Sequence, residues 1–344
     1  MKNKIIYIFH IFIIVLPISL YGCSNTPDIW DESDPEWIEG VPAHTDGGYL
    51  FAFITSSEYY RLHYAVSRDA YNWQTLNNGK IINETYKGHP DICQGPDGVY
   101  RMIGVMPLAL WESLDLIDWT ITPLDTDIFD QSSKLGYFAV PDYGAPKIFY
   151  DAISEQYIIT WHACRTPNNN DWASMKTLYI LTSDFKHFTE AAFLHNFSGK
   201  DADICTIDNI IRYIDGCYYS ILKDEREPIF APDTGKTIRI SKSQNLTGPY
   251  NELSAPITPV GDLLEAPILI ELPEQSGYAL YAESFAGPRF GYHMFVADNI
   301  EGHFIEHQFC PPNTRDGSNR PLARHGCIVR IHEDTYMGLI RKYQ

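Results

Sequence analysis

One motif recurs along this chain and limits what it can become. A short β-type run ends in Ser-x-Asp, or a near copy, and an aromatic residue follows a few positions later. Clear copies are Ser67-Arg68-Asp69 with Trp73, Ser113-Leu114-Asp115 with Trp119, and Thr182-Ser183-Asp184 with Phe188. Looser copies are Ser241-Lys242-Ser243 with Tyr250, and Val296-Ala297-Asp298 with Phe304. A second repeat interleaves with the first. A polar turn precedes an aromatic-rich strand over residues 96–105, 154–163, 214–223 and 274–283. Gly and Asp at such turns supply the backbone angles a hairpin needs. The middle of the chain offers no amphipathic helix of convincing length. Five like units at this spacing suit four-stranded blades, and predict an all-β, five-bladed β-propeller.

The two ends predict how the ring closes. Residues 48–73 read as two or three strands lacking an innermost partner, and residues 324–331 read as an innermost strand lacking a blade. One blade shared between the N- and C-terminal strands would close the ring and remove its open edges. Residues 334–339 fit strand and helix equally well.

The first residues read as an address. Lys2 and Lys4 precede an apolar run over residues 5–16, the length of a signal-peptide core and too short to span a bilayer comfortably. Leu20-Tyr21-Gly22-Cys23 resembles a bacterial lipobox, which makes Cys23 the expected lipidation site and mature N-terminus. The expected organisation is a signal peptide over 1–22, a polar and acidic tether over 23–45, and a single propeller over 46–344. A lipid anchor would hold the protein at the outer membrane, on the cell surface or the periplasmic face. Composition narrows the partners. The net charge of −18 argues against nucleic acid, which needs a basic face for its phosphates. Aromatics at 14% suit β-strands and surfaces that stack on sugars. Six cysteines remain beyond Cys23, and none is spaced as in a zinc site, so scattered buried thiols are expected.

In a propeller the innermost strands surround the axis, and their N-terminal ends meet at one mouth. The expected blade starts are His89-Pro90-Asp91-Ile92, Ala145-Pro146-Lys147, Asp201-Ala202-Asp203-Ile204, Leu264-Glu265-Ala266-Pro267 and Arg324-His325-Gly326. A carboxylate, an imidazole or a basic side chain stands in every one. Their order resembles glycoside hydrolase family 43 and its relatives, especially lipoprotein members of gut Bacteroidetes. That family reads Asp-Pro-x-Ile, Ala-Pro, Ile-Asp-x-x-Ile, Glu-Gly-Pro and Arg-His-Gly at successive blades. The resemblance covers roughly residues 48–330.

The resemblance implies a five-bladed propeller and exo-acting, inverting hydrolysis of plant-type glycans, with arabinofuranose, xylose or galactose as the released sugar. Inversion needs two carboxyl groups ~6.5–9.5 Å apart across the sugar, so that a water fits. Glu265 matches the family's general acid, and Asp201 the carboxylate that tunes and orients it. The family's base Asp is replaced by His89. Three readings stand open: Asp91 takes over as base, His89 is itself the base, or the propeller no longer hydrolyses and serves as a surface glycan-binding protein. Lys147 stands where many relatives carry Glu. Trp161, Arg226, Arg324 and His325 are the remaining candidates for sugar contacts. No cofactor is expected, with a structural calcium on the axis the one metal the resemblance leaves room for. The expected partners are an oligosaccharide or polysaccharide and, through the lipid, the outer membrane.

Overall fold

The computed structural model describes residues 42–139, 143–167, 169–309 and 323–344. The signal peptide, Cys23 and most of the tether lie outside the described residues, as does Cys310. Five antiparallel sheets make up the described chain. Blade 1 comprises Cys93–Gln94, Tyr100–Val105, Leu108–Ser113 and Thr120–Pro123. Blade 2 runs from Lys147–Asp151 through Gln156–Cys164 and Lys176–Thr182 to Ala192–Phe193, with Phe138–Ala139 added beside its second strand. Blade 3 has Thr206–Ile214, Cys217–Asp224 and Thr237–Ser243. Blade 4 has Leu264–Glu271, Tyr278–Ser284, Gly291–Ala297 and Ile305–Phe309. Blade 5 closes the ring as expected. The C-terminal Ala323–His332 is its inner strand and pairs with Gly47–Thr55, followed by His63–Ser67 and Gln74–Thr75.

The recurring motif is the turn between the third and outer strands. In blade 5 the Asp69 carboxylate accepts from the backbone N–H of Tyr71 (2.7 Å) and Asn72 (2.8 Å), while Ser67 Oγ accepts from Ala70 N. Asp115 does the same for Ile117 and Asp118, and Asp184 for Lys186 and His187. Each turn includes a residue at positive φ: Ala70 at 70°, Leu116 at 65°, Phe185 at 55°. The side-chain acceptors hold that left-handed backbone in place. Asp69 is buried, whereas Asp184 is exposed. Replacing Asp69 by Ala leaves two amides without an acceptor or water, and should cost ~1–3 kcal/mol in a thermal or urea melt. Asp184→Ala should cost under ~0.5 kcal/mol, because water replaces its carboxylate.

Apolar clusters fill the spaces between neighbouring blades. Leu50 and Tyr64 of blade 5 pack with Tyr100 and Trp111 of blade 1, for example. The ambiguous C-terminal stretch is a helix, Glu333–Tyr343, whose Tyr336 and Leu339 sit in that same cluster. Acidic Glu333 and Asp334 at its start and basic Arg341 and Lys342 at its end complement the helix dipole. Arg68 pairs with Glu333 and lies 3.9 Å over the Tyr336 ring, tying the helix to the closing blade. No described helix is long and apolar enough to cross a membrane. Among the described residues five cysteines are free thiols.

Candidate active site at the propeller mouth

The mouth owes its shape to a repeated irregularity. The inner strands of blades 3, 4 and 5 each slip register near their first residues, between Ile207 and Ile210, between Glu265 and Ile268, and opposite Phe53 and Ile54. Each slip contains a non-glycine residue at positive φ: Asp208 (51°), Ala266 (48°) and His325 (22°). Bulges of this kind re-aim side chains, and strained backbone of this kind clusters at functional sites. Here they bring Asp208, Glu265 and His325 into one electrostatic cluster.

Glu265 is the hub. Its Oε2 accepts from Lys223 Nζ at 2.7 Å, and its Oε1 accepts from Arg324 Nη2 at 3.2 Å. His325 Nε2 lies 3.5 Å from the same Oε1. Burial raises the pKa of Glu265, and the nearby Asp208 carboxylate raises it further, against the pull of Lys223 and Arg324. Asp208 is itself buried, yet the charges of His162, Lys223 and Lys147 hold it below the usual carboxylate range. Its Oδ2 accepts from Ala266 N at 3.1 Å, which fixes the backbone immediately after Glu265. Burial and the Asp208 carboxylate thus both favour the acid form of Glu265, the direction a general acid needs.

Glu283 faces Glu265 across the strand pair. It is fully buried, bonds Arg324 Nε, and accepts from His325 N at 2.5 Å. Burial and the neighbouring Glu265 push its pKa up to about 8. Single atoms of Glu265, Glu283 and His325 lie within 4.8 Å of one another. That is closer than the ~6.5–9.5 Å of an inverting carboxyl pair, so Glu283 is no opposing base. Nor does the trio suit a calcium ion, which takes six to eight oxygens. It offers two carboxylates that already bind Arg324, with Lys223 on one of them, and an imidazole nitrogen.

His89 stacks parallel on His325, centroids 4.2 Å apart and planes 1° apart, and on its other side stacks on Tyr60. Neither ring nitrogen of His89 has a hydrogen-bond partner. Burial, His325 and Lys147 lower its pKa well below the usual histidine value, so the imidazole is neutral. Burial and Arg324 do the same to His325. Tyr59 meets both imidazoles edge-on and is 40% exposed. Phe285 lies 4.2 Å beneath Lys223 Nζ, and Phe290 5.0 Å from the Arg324 guanidinium. Trp172, 44% exposed, flanks His162.

The structure brings Glu265, His89, Lys147, Arg324 and His325 together. It does not bring Asp201, Arg226 or Trp161 to them, and Asp91 meets only Lys147. Asp201 precedes the inner strand of blade 3 and is clamped by Arg226 and Arg239, 2.9 Å from each. Buried Asp224 completes that cluster, and Arg226, bonded to Asp201, Asp203 and Asp224, has its donors committed. The carboxylate that acts on Glu265 is Asp208. Its signal was present, since Ile207-Asp208-Asn209-Ile210-Ile211 fits the Ile-Asp-x-x-Ile pattern. Trp161 is 2% exposed and packs edge-to-face on Phe129, so its ring serves the core. Asp91 accepts from Ile148 N at 2.6 Å, feels the Lys147 charge and lines a chamber below the mouth, and it makes no contact with Glu265. Glu283 and His162 gave little warning in the sequence beyond being polar residues in apolar strands.

Residues 99–336 match a family related to glycoside hydrolase family 43, described as a probable glycosyl hydrolase domain. The chain belongs to that family. No curated protein matches it. Among solved structures, a thermostable family-43 glycoside hydrolase is 17% identical with a TM-score of 0.47, over 67% of this chain and 75% of that one. The endo-arabinase of Bacteroides thetaiotaomicron is 13% identical with a TM-score of 0.49, over 72% of this chain and 95% of its own. The exo-β-1,3-galactanase of Clostridium thermocellum is 13% identical with a TM-score of 0.47, over 67% of this chain. The match spans only 49% of that galactanase.

Proposed function

We propose that this family member is an exo-acting, inverting glycoside hydrolase that releases arabinofuranose, xylose or galactose from plant polysaccharide. The observation that carries this reading is Glu265, buried at the mouth between Lys223, Arg324 and His325, with burial and the nearby Asp208 carboxylate raising its pKa. Glu265 protonates the leaving glycosidic oxygen. Neutral His89, one imidazole beyond His325, takes the proton from the attacking water. Lys147, Arg324 and His325 position sugar hydroxyls, and Tyr59 and Trp172 offer exposed aromatic faces for sugar rings. A lipid on Cys23 tethers the enzyme to the outer membrane; the support for the tether is the sequence of residues 2–23.

A second reading is a surface glycan-binding protein without turnover. Its support is His89 itself, because Lys147 and His325 disfavour the imidazolium that a base must become. Incubation with arabinan, xylan, arabinogalactan and pectic oligosaccharides separates the two. The hydrolase yields free monosaccharide with no ladder of intermediate oligomers. Calorimetric binding to one of these glycans with no product after long incubation would establish the second reading instead.

A further inference from the structure

The ring has a second polar cavity, on the side away from the mouth. It measures about 740 Å³. All five inner strands line it with residues that follow the mouth positions in sequence, among them Asp91, Ile148, Arg212, Leu269 and Ile328. Its volume lies within the range of small-molecule sites, ~300–1,000 Å³.

Two charged groups face this chamber with bonding capacity to spare. Asp91 is 6% exposed, and only its Oδ2 is used, by Ile148 N. Among the described residues its other oxygen accepts no hydrogen bond. Arg212 donates through Nε to Leu269 O (3.0 Å) and through Nη1 to Ile211 O (2.8 Å), both backbone carbonyls. Among the described residues its Nη2 has no acceptor. The two groups feel each other's charge, yet no ion pair joins them. Buried carboxylates are ordinarily fully paired, so an open oxygen aimed into a cavity asks for a donor. Tyr150, Tyr213 and Tyr278 add aromatic wall.

We propose that this chamber is a second binding site, for a small neutral polyhydroxylated ligand of monosaccharide size. A hydroxyl both donates and accepts, so adjacent hydroxyls can give to Asp91 and receive from Arg212. The chamber carries both signs of charge, Asp91, Glu271 and Glu274 against Arg212 and Arg330, so no net charge on a ligand is matched, while a neutral polyol can pair with both signs. Binding there uses neither Glu265 nor His89, although Asp91 lies within reach of the Lys147 charge.

Calorimetric titration tests it, with L-arabinose, D-xylose and D-galactose as probes and D-galacturonate and D-glucosamine as charged counterparts. The proteins are wild type, Asp91→Asn and Gln94→Trp. Asn keeps an acceptor for Ile148 N but turns the open oxygen into a donor. Gln94 is exposed at the chamber wall, so its Trp variant blocks the chamber without disturbing the core. At least one neutral sugar should bind wild type with a dissociation constant in the low millimolar range, ordinary for so small a ligand. Its charged counterparts should bind more weakly. Affinity should fall ~10-fold or more in Asp91→Asn, and Gln94→Trp should abolish binding. Melting curves confirm folding, and Gln94→Trp decides the matter if Asp91→Asn does not fold. No binding of any of the three neutral sugars to wild type would overturn the proposal. So would unchanged binding in Gln94→Trp, which would place the sugar in the mouth. Product release at the mouth is assayed separately and should be unaffected in Gln94→Trp, so the two sites fail or succeed independently.

Discussion

Replacing Glu265 by Gln should lower the release of sugar from polysaccharide by ~10²–10⁴-fold, the usual contribution of a general acid. Gln preserves the volume, and its one carbonyl oxygen can still accept from Lys223, although its NH2 then faces Arg324, which keeps Glu283 as a partner. The fold should therefore survive, and the melting temperature should move little. The loss belongs in turnover more than in KM, because the proton is transferred only in the transition state. The pH profile carries the same signature. Glu265 is raised by burial and by Asp208, so the wild type keeps the acid form to a higher pH than a free glutamate does. Activity falls on the alkaline side as that proton is lost. Since Glu265 and Glu283 interact closely, the apparent value belongs to the pair.

The second large effect is on stability. Glu283→Ala should cost ~2–4 kcal/mol, for buried donors left without an acceptor and the cavity left behind. It takes away one of the two carboxylates that bind Arg324 and the acceptor of His325 N, at a fully buried position. The pH dependence has a definite sign. Glu283 has a folded value of about 8 against an ordinary value of 4.5. Between those values the folded state holds a proton that the unfolded state has released. Its contribution is complete below pH 4.5 and is lost as pH rises toward 8. Urea melts across this window should show wild type losing stability as pH rises, and Glu283→Gln showing a flatter profile. Equal slopes for the two proteins would mean that Glu283 does not hold the proton.

The fold was largely legible in the sequence because its signals are local. A Ser-x-Asp turn needs its own side chains within a few residues, so the motif marks the same corner of successive blades. The closing strand at residues 324–331 was legible for the same reason, as an inner strand without neighbours. The C-terminal helix was not, since its helical state rests on Tyr336 and Leu339 packing against distant Leu50 and Trp111. At the mouth the chemistry was half legible. Glu265 and His325 stand at blade starts and were found by position. Asp201 stands at the expected blade start and Asp208 seven residues on, inside the strand, and only the strand bulge decides which carboxylate meets Glu265. Glu283 lies on a second strand, where its role depends on a cross-strand neighbour that spacing does not reveal.

The most direct test of Glu265 as the acid compares two leaving groups. Glycosides of whichever sugar the polysaccharide panel releases are made with a sugar alcohol leaving group and with a dinitrophenolate. Dinitrophenolate departs without a proton. The account predicts that Glu265→Gln loses hydrolysis of the first by ~10²-fold or more and keeps most of its hydrolysis of the second. An equal loss on both substrates would contradict it, because Glu265 would then be binding or shaping the site and not supplying the proton.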